Sequence, residues 1–124
     1  MTGLLADTSV WIAHHRTSDP VLEQAIVGDD LWTHELIIAE LALGSIPDRT
    51  EFLADIASFH RLPAHPPSRV IAFADQHGLV SSGIGYVDAS LLVSLHHAQD
   101  VKLWTRDKKL LVQAERLGLA FDPG

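Results

Sequence analysis

The chain of 124 residues contains no cysteine, and this absence excludes several kinds of chemistry at once. Without thiols there is no disulfide bond, no thiolate zinc site and no cysteine nucleophile. No apolar run approaches the roughly 20 residues of a membrane-spanning helix. The N-terminus also lacks the basic and long apolar regions of a secretory signal peptide. These absences predict a cytoplasmic protein that does not associate with a membrane.

Basic residues are scarce as well, with 9 Lys and Arg against 16 Asp and Glu and a formal net charge of −7. A balance of this sign argues against broad electrostatic binding of nucleic acid. The charge is uneven, because residues 1–100 carry 4 basic and 13 acidic residues while residues 101–124 carry 5 and 3. An acidic body with a small basic segment can still hold phosphates if metal ions neutralise its pocket.

Two familiar catalytic strings are also missing. The eight histidines include no His-Glu-x-x-His string, and the adjacent pairs His14–His15 and His96–His97 do not share one face of a helix. No G-x-S-x-G string surrounds any serine. These gaps disfavour a zinc site and a serine hydrolase triad.

The apolar content of 47% is enough for the core of a single domain spanning residues 1–124. The hydrophobic pattern predicts strands at 4–6, 31–33 and 102–105, and an edge strand at 119–121. It predicts helices at 9–15, 20–27, 35–44, 47–60, 68–76, 86–98 and 108–117. Strands that alternate with helices indicate an α/β fold, a three-layer α/β/α sandwich with a mainly parallel central sheet.

Two carboxylates follow apolar strands at the point where each strand ends. Asp7 follows residues 4–6, and Asp107 follows residues 102–105. Ligands of open α/β sheets gather at the carboxyl ends of the strands, so we expect both acids to face one pocket. Each acid also has an ordinary alternative role as the N-cap of the helix that follows it.

Two further acids lie among apolar residues of predicted helices. Glu40 has Leu36, Ile37 and Leu43 three or four positions away, which predicts an apolar face where an unpaired carboxylate costs several kcal/mol. Asp88 lies in the first turn of its helix and shares a face with the leucines that follow it. The alternatives are a rim or arginine-paired position for Glu40 and a favourable helix-dipole interaction for Asp88.

These ordinary explanations are less convincing for all four acids jointly, because two close the same sheet edge and two lie on flanking helices. Like charges about 4 Å apart repel by roughly 4 kcal/mol at an effective dielectric of about 20, so such a cluster needs cations. Carboxylate oxygens without thiolates favour Mg²⁺ or Mn²⁺. The expected chemistry is metal-assisted phosphoryl transfer.

Four stretches of the chain, taken in order, carry a resemblance to a known family. They cover residues 6–12, 39–41, 85–89 and 104–110, which read ADTSVWI, AEL, GYVDA and WTRDKKL. These stretches resemble the ordered motifs of the PIN domain, and the chain is similar to the VapC toxins of bacterial toxin–antitoxin pairs. The similarity spans nearly the whole chain and is weakest between Ser45 and Arg69.

The resemblance implies a PIN-like fold and a Mg²⁺- or Mn²⁺-dependent endoribonuclease that acts as the toxin of a type II toxin–antitoxin system. Four positions match the acidic quartet that catalyses the reaction and binds metal in the family: Asp7, Glu40, Asp88 and Asp107. Ser9 and Thr105 match positions whose hydroxyls support the metal ligands.

In the mechanism that this resemblance favours, a metal-bound water attacks an RNA phosphodiester in line and leaves a 5′-phosphate and a 3′-hydroxyl. Arg106, Lys108 and Lys109 are candidates for holding flanking phosphates, and a solvated basic face at a helix start explains them equally well. Family members usually form homodimers and are silenced by a VapB-type antitoxin whose tail fills the acidic groove. The expected substrate is a structured RNA of the tRNA or ribosomal RNA class.

Two other functions compete with this one. The first is a catalytically silent PIN-like module that binds RNA or a protein, and the complete quartet argues against it because a decayed site usually loses an acid. The second is a Mg²⁺-dependent phosphatase of the haloacid dehalogenase type. That class resembles a strand followed by Asp-x-Asp, whereas Ser9 is the second residue after Asp7 here.

Overall fold

Four short strands form one parallel sheet in the computed structural model, which describes residues 3–124. The strands are β1 (Gly3–Ala6), β2 (Leu31–Thr33), β3 (His60–Arg61) and β4 (Val101–Trp104). The helices are α1 (Thr8–Arg16), α2 (Pro20–Val27), α3 (Glu35–Leu43), α4 (Arg49–Ala57), α5 (Pro67–Gln76), α6 (Tyr86–His96) and α7 (Lys108–Arg116). None of these helices is long and apolar enough to cross a bilayer. The predicted α/β fold with a parallel central sheet is confirmed.

The order of the strands places β1 in the interior of the sheet. The order is β3-β2-β1-β4, with Leu5 paired to Trp32 of β2 and to Leu103 of β4. All four residues of β1 are buried, as expected for a strand covered on both faces. Because the strands are parallel, the residues that follow β1, β2 and β4 emerge at the same edge of the sheet. That edge positions the candidate site.

Two of the strand-to-helix turns use the same chemistry. Asp7 ends β1 and caps α1, with its carboxylate accepting the backbone N–H of Ser9 at 3.0 Å. Asp107 follows β4 and caps α7, accepting the backbone N–H of Lys109 at 2.9 Å. A carboxylate in this position satisfies backbone donors that the first turn of a helix leaves free. The capping roles proposed as alternatives for these two acids are therefore real.

The helix α6 lies in the core rather than on its surface. Every residue from Ala89 to Leu95 is buried, including the hydroxyls of Ser90 and Ser94. A helix that is apolar on all sides is expected at such a buried position. Because Asp88 directly precedes this run, the sequence forces it to the boundary between the core and the sheet edge.

The structure corrects two of the predicted elements. The helix expected over residues 47–60 covers only Arg49–Ala57, and the chain then pairs with β2 as β3. The imidazole of His60 packs on Trp32 at 5.1 Å between ring centroids, a contact between distant segments that periodicity does not reveal. The predicted strand over 119–121 is a single parallel bridge between Leu103 and Ala120.

Candidate active site

The carboxylate of Asp7 is buried at the end of β1 and is hydrogen bonded through both oxygens. Its Oδ1 accepts the backbone N–H and the hydroxyl of Ser9 and the backbone N–H of Val10. Its Oδ2 accepts the hydroxyl of Thr105, which follows β4. Burial raises the pKa of Asp7, and the hydrogen bonds from Ser9, Thr105 and Val10 partly oppose that rise.

The two hydroxyls that hold Asp7 are themselves held by the loop after β4. Ser9 Oγ accepts the backbone N–H of Arg106 at 2.9 Å, and Thr105 Oγ1 accepts the backbone N–H of Asp107 at 3.0 Å. Each hydroxyl therefore donates a hydrogen bond to Asp7 and accepts one from a backbone N–H of the loop. The network fixes the orientation of the Asp7 carboxylate and joins the ends of β1 and β4, which are about 98 positions apart in the chain.

Glu40 lies on α3 at the open side of this edge. Its side chain is exposed, and Leu43 on the same helix is 91% exposed. The buried position expected for Glu40 is therefore wrong, because Ile37 and Leu41 form the buried face of α3 and Glu40 lies on the exposed face. Partial desolvation still raises the pKa of Glu40, and the negative charge of Asp7 raises it further. Glu40 is thus a rim carboxylate within the field of Asp7.

Asp88 is the most strongly perturbed acid of the four. Burial and the charges of Asp107, Asp7 and Glu40 raise its pKa to about 6, and the backbone amide of Gly85 opposes the rise. The charges of the other three acids therefore all reach Asp88, and the charge of Asp7 also reaches Glu40. The structure therefore brings the four predicted acids to one place, at the carboxyl ends of β1 and β4.

None of the four acids forms an ion pair with a basic side chain of residues 3–124. The ion pair within this part of the chain joins His60 to Asp29 at 3.4 Å and lies elsewhere. The arginine partner considered for Glu40 is therefore not found among the described residues. In the same range, no three His, Asp or Glu side chains stand close enough together to form a ready-made metal-ligand set.

The three basic candidates lie around the site but differ in their surroundings. Arg106, Lys108 and Lys109 are all exposed. Arg106 lines two clefts, one of about 600 Å³ beside α1 and one of about 880 Å³ beside the C-terminal residues. The side chain of Lys109 runs against Gly83 in the loop before α6. None of the three forms an ion pair with a described carboxylate.

The sequence does not reveal one polar contact near the sheet edge, between His34 and Ser94. His34 follows β2 and caps α3, as expected for a polar residue at a helix start, but its side chain is fully buried. Its Nε2 lies 3.0 Å from the hydroxyl of Ser94 on α6. Sixty positions separate these residues. Ser94 lies in an apolar run, whose pattern predicts only a buried helix.

The fold is similar to that of a solved protein. A solved structure, PAE2754 from Pyrobaculum aerophilum, superposes with a TM-score of 0.62 at 22% identity, covering 94% of this chain and 90% of that one. No protein-family model matches the chain. The fold and the edge that gathers four acids define a PIN-like α/β/α domain.

Curated relatives narrow this class to a family. Ribonuclease VapC32 of Mycobacterium tuberculosis, from strains CDC 1551 / Oshkosh and ATCC 25618 / H37Rv, is 38% identical over 118 residues. The match covers 95% of this chain and 95% of each relative. The chain therefore belongs to the VapC family of PIN-domain toxins, and the resemblance read from its four motifs is confirmed.

Proposed function

We propose that this chain is a Mg²⁺- or Mn²⁺-dependent endoribonuclease and the toxin of a type II toxin–antitoxin pair. It hydrolyses an RNA phosphodiester and leaves a 5′-phosphate and a 3′-hydroxyl. The relatives named as ribonucleases support the activity. The observation that carries the proposal is the buried, hydrogen-bonded Asp7 beside three other carboxylates, with no cation offsetting them among the described residues.

The residues at this edge fit a hard divalent cation by their chemistry. All four candidate ligands offer carboxylate oxygens, which Mg²⁺ and Mn²⁺ prefer. The repulsion that raises the pKa of Asp88 to about 6 is the repulsion that a cation would relieve. Because no three of these groups are already at ligating distance, binding requires carboxylate side chains to rotate inward. A bound ion would lower the pKa of a water molecule and neutralise charge on the departing oxygen.

The protein's own residues have separate tasks in this proposal. Asp7, Glu40, Asp88 and Asp107 hold the ion, and Ser9 and Thr105 orient Asp7 through their hydroxyls. Such supporting partners fix the direction of a ligand's lone pairs and tune its basicity. Arg106, Lys108 and Lys109 contact RNA phosphates on either side of the cut, since they carry positive charge around an otherwise acidic surface.

The proposed partners follow from the family. We expect a structured RNA of the tRNA or ribosomal RNA class as substrate, a VapB-type antitoxin as inhibitor and a homodimer as the active form. Co-expression with the small protein encoded next to the toxin should suppress RNA cleavage. A small reading frame just upstream of this gene would identify that protein.

The decisive experiment measures cleavage of bulk bacterial tRNA and ribosomal RNA with Mg²⁺ or Mn²⁺, with the new 5′-phosphate ends mapped by sequencing. Asp7→Asn and Asp88→Asn should each reduce the rate by more than the roughly 10–100-fold typical of outer-shell partners. Asp75→Asn, an exposed acid on α5, makes the same chemical change away from the site and should cut like the parent.

A second measurement separates metal binding from catalysis. Millimolar Mn²⁺ should raise the melting temperature of the parent and of Asp75→Asn, because an ion that binds only the folded state stabilises it. It should not raise that of Asp88→Asn. Equal cleavage by the parent, Asp7→Asn and Asp88→Asn would reject the acidic-site mechanism. No cleavage by the parent would leave the binding module as the function.

A further inference from the structure

A buried chain of hydrogen bonds joins the start of α3 to the last turn of α6. The backbone N–H of Leu36 donates to His34 Nδ1 at 3.1 Å, and His34 Nε2 lies 3.0 Å from Ser94 Oγ. Ser94 Oγ in turn donates to the backbone carbonyl of Pro63 at 2.8 Å. The side chain of His34 is 0% exposed and Ser94 is 1% exposed.

The directions of these bonds define one protonation state of the imidazole. Nδ1 accepts a backbone N–H, so it carries no proton and the neutral ring has its hydrogen on Nε2. That hydrogen goes to Ser94 Oγ, whose own hydrogen goes to Pro63. Every donor and acceptor along the chain is used once, which is the condition under which a buried polar network fixes a structure.

The link is placed symmetrically with respect to two of the acids. Glu40 lies six positions after His34 on α3, and Asp88 lies six positions before Ser94 on α6. At 1.5 Å rise per residue, each acid is about 9 Å along its helix from the link. The charge of Glu40 acts on Asp88, so the two acids are within electrostatic reach of each other. The hydrogen bond between His34 and Ser94 thus links the two elements that carry these acids.

We infer that His34, with Ser94, is a positioning residue for the metal centre: the hydrogen bond between Nε2 and Ser94 Oγ holds α3 and α6 at the separation at which Glu40 and Asp88 can bind one ion. The inference rests on the proposed metal-dependent function. It assigns a role to two residues outside the acidic quartet, neither of which contacts the ion.

The surroundings of His34 favour this neutral form. Burial lowers the pKa of His34, and the nearby His65 and Arg61 lower it further, while Glu35 opposes them. An added proton on Nδ1 would face the Leu36 N–H, which has no acceptor to offer. The link is therefore intact at neutral pH.

Two pairs of variants test the role. Ser94→Ala removes the link, and Ser90→Ala is its matched control. Ser90 is on the same helix and is 2% exposed, but its hydroxyl has no hydrogen-bond partner among residues 3–124. His34→Asn keeps an acceptor for the Leu36 N–H but cannot reach Ser94. His34→Gln keeps an amide donor near the position of Nε2.

The measurement is the dissociation constant of Mn²⁺ alone, determined by titration calorimetry well below the melting temperature, with circular dichroism to verify folding. Ser94→Ala and His34→Asn both break the bond between positions 34 and 94, and Ser94→Ala also loses the bond to Pro63. Each variant should weaken Mn²⁺ binding about five- to tenfold, the effect expected from the lost link between the two helices. Ser90→Ala and His34→Gln should stay within about twofold of the parent. In ¹⁵N spectra the parent's His34 should be the neutral tautomer protonated on Nε2.

A purely structural role would lower the melting temperature of Ser94→Ala without changing its Mn²⁺ dissociation constant, and that result overturns the inference. An equal loss in Ser90→Ala also overturns it. If the parent itself fails to bind Mn²⁺, the proposed metal-dependent function fails and the positioning role fails with it. Parent-like binding in Ser94→Ala, by contrast, rejects the positioning role alone.

Discussion

The strand side and the helix side of the acidic edge hold their carboxylates in different ways. On the strand side, Asp7 and Asp107 cap helices, and Ser9 and Thr105 fix the Asp7 carboxylate through a closed set of hydrogen bonds. On the helix side, Glu40 and Asp88 have no side-chain donor among residues 3–124, and their pKa values are raised by burial and repulsion. The strand-side carboxylate of Asp7 is oriented by hydrogen bonds without an ion. The ionised forms of the helix-side carboxylates are disfavoured by burial and repulsion.

This difference suggests how a small domain reconciles folding with a concentration of charge. The strand-side acids contribute to folding through helix caps, so their negative charge has a structural use even without metal. The helix-side acids cap no helix, and for Asp88 the backbone amide of Gly85 offsets only part of the effect of burial and repulsion. A fixed pair of ligands beside an adaptable pair would bind an ion with little rearrangement of the backbone.

The largest effect on stability is expected from breaking the strand side. Thr105→Val removes the hydroxyl that donates to the buried Asp7 and accepts from Asp107, and should destabilise the fold by about 2 kcal/mol. Thr33→Val is the matched control, because Thr33 is also buried at the end of a strand, but its hydroxyl has no hydrogen-bond partner in the described part of the chain. Urea unfolding without metal measures both. Equal losses in the two variants would show that the Asp7 network contributes nothing special.

Removing a charge on the helix side should raise the stability of the fold rather than lower it. Asp88→Asn removes a carboxylate that repulsion and burial disfavour, so at pH 8 without metal it should stabilise the protein. The full rise in pKa to about 6 would correspond to roughly 3 kcal/mol. Solvent screening of this partly exposed group reduces the expected gain to about 1 kcal/mol, or about 4 °C in melting temperature.

The pH dependence of that gain follows from the direction of the shift. The pKa of Asp88 is higher in the folded protein, about 6, than its ordinary value of 3.8. The stability that the protonated acid contributes is therefore complete below pH 3.8 and is lost as the pH rises through about 6. The difference between Asp88→Asn and the parent should be near zero at pH 4 and largest at pH 8. Melting curves of both proteins across this range would detect a gain that persists at pH 4, which would contradict the assignment.

The smallest effect is expected from the basic residues that border both sides. Arg106→Ala should weaken binding of a labelled RNA when it is placed in the Asp88→Asn background, which prevents cleavage. It should also reduce the slope of log affinity against log salt by about 0.7, the value for one phosphate contact on a single strand. Arg116→Ala, at the far end of α7, provides the comparison because its guanidinium is already bonded to Gln113 and to the His77 carbonyl. Fluorescence anisotropy at several salt concentrations measures both slopes, and equal slopes would exclude Arg106 from the phosphate contacts.

Much of the strand side could be predicted from the sequence, because its determinants are local. An apolar run that ends in Asp marks both a strand end and a helix start, and this placed Asp7 and Asp107 at one edge. Parallel strands then bring the two acids together although they are 100 positions apart. Ser9 and Thr105 belong to the same local pattern, and the hydroxyls of both donate hydrogen bonds to the Asp7 carboxylate.

The helix side was harder to predict because its environment depends on what packs against each helix. The apolar neighbours of Glu40 predicted burial, yet Leu43 is exposed and Glu40 lies on a rim. The link between His34 and Ser94 depends on two chain segments meeting, and neither residue is unusual in its local context. The catalytic and metal-binding roles of the quartet remain predictions, which the variants above test.

The short C-terminal bridge has a consequence for the outer side of β4, the last strand in the sheet. Leu103 donates its N–H to Leu119 and accepts the N–H of Phe121, both at 2.7 Å. These two bonds occupy the outward backbone groups of Leu103, through which a neighbouring strand could pair with β4. Residues 119–121 thus protect the edge of β4 from pairing with a strand of another molecule. A chain shortened before Leu119 would leave the outward backbone groups of Leu103 unpaired and open to such aggregation.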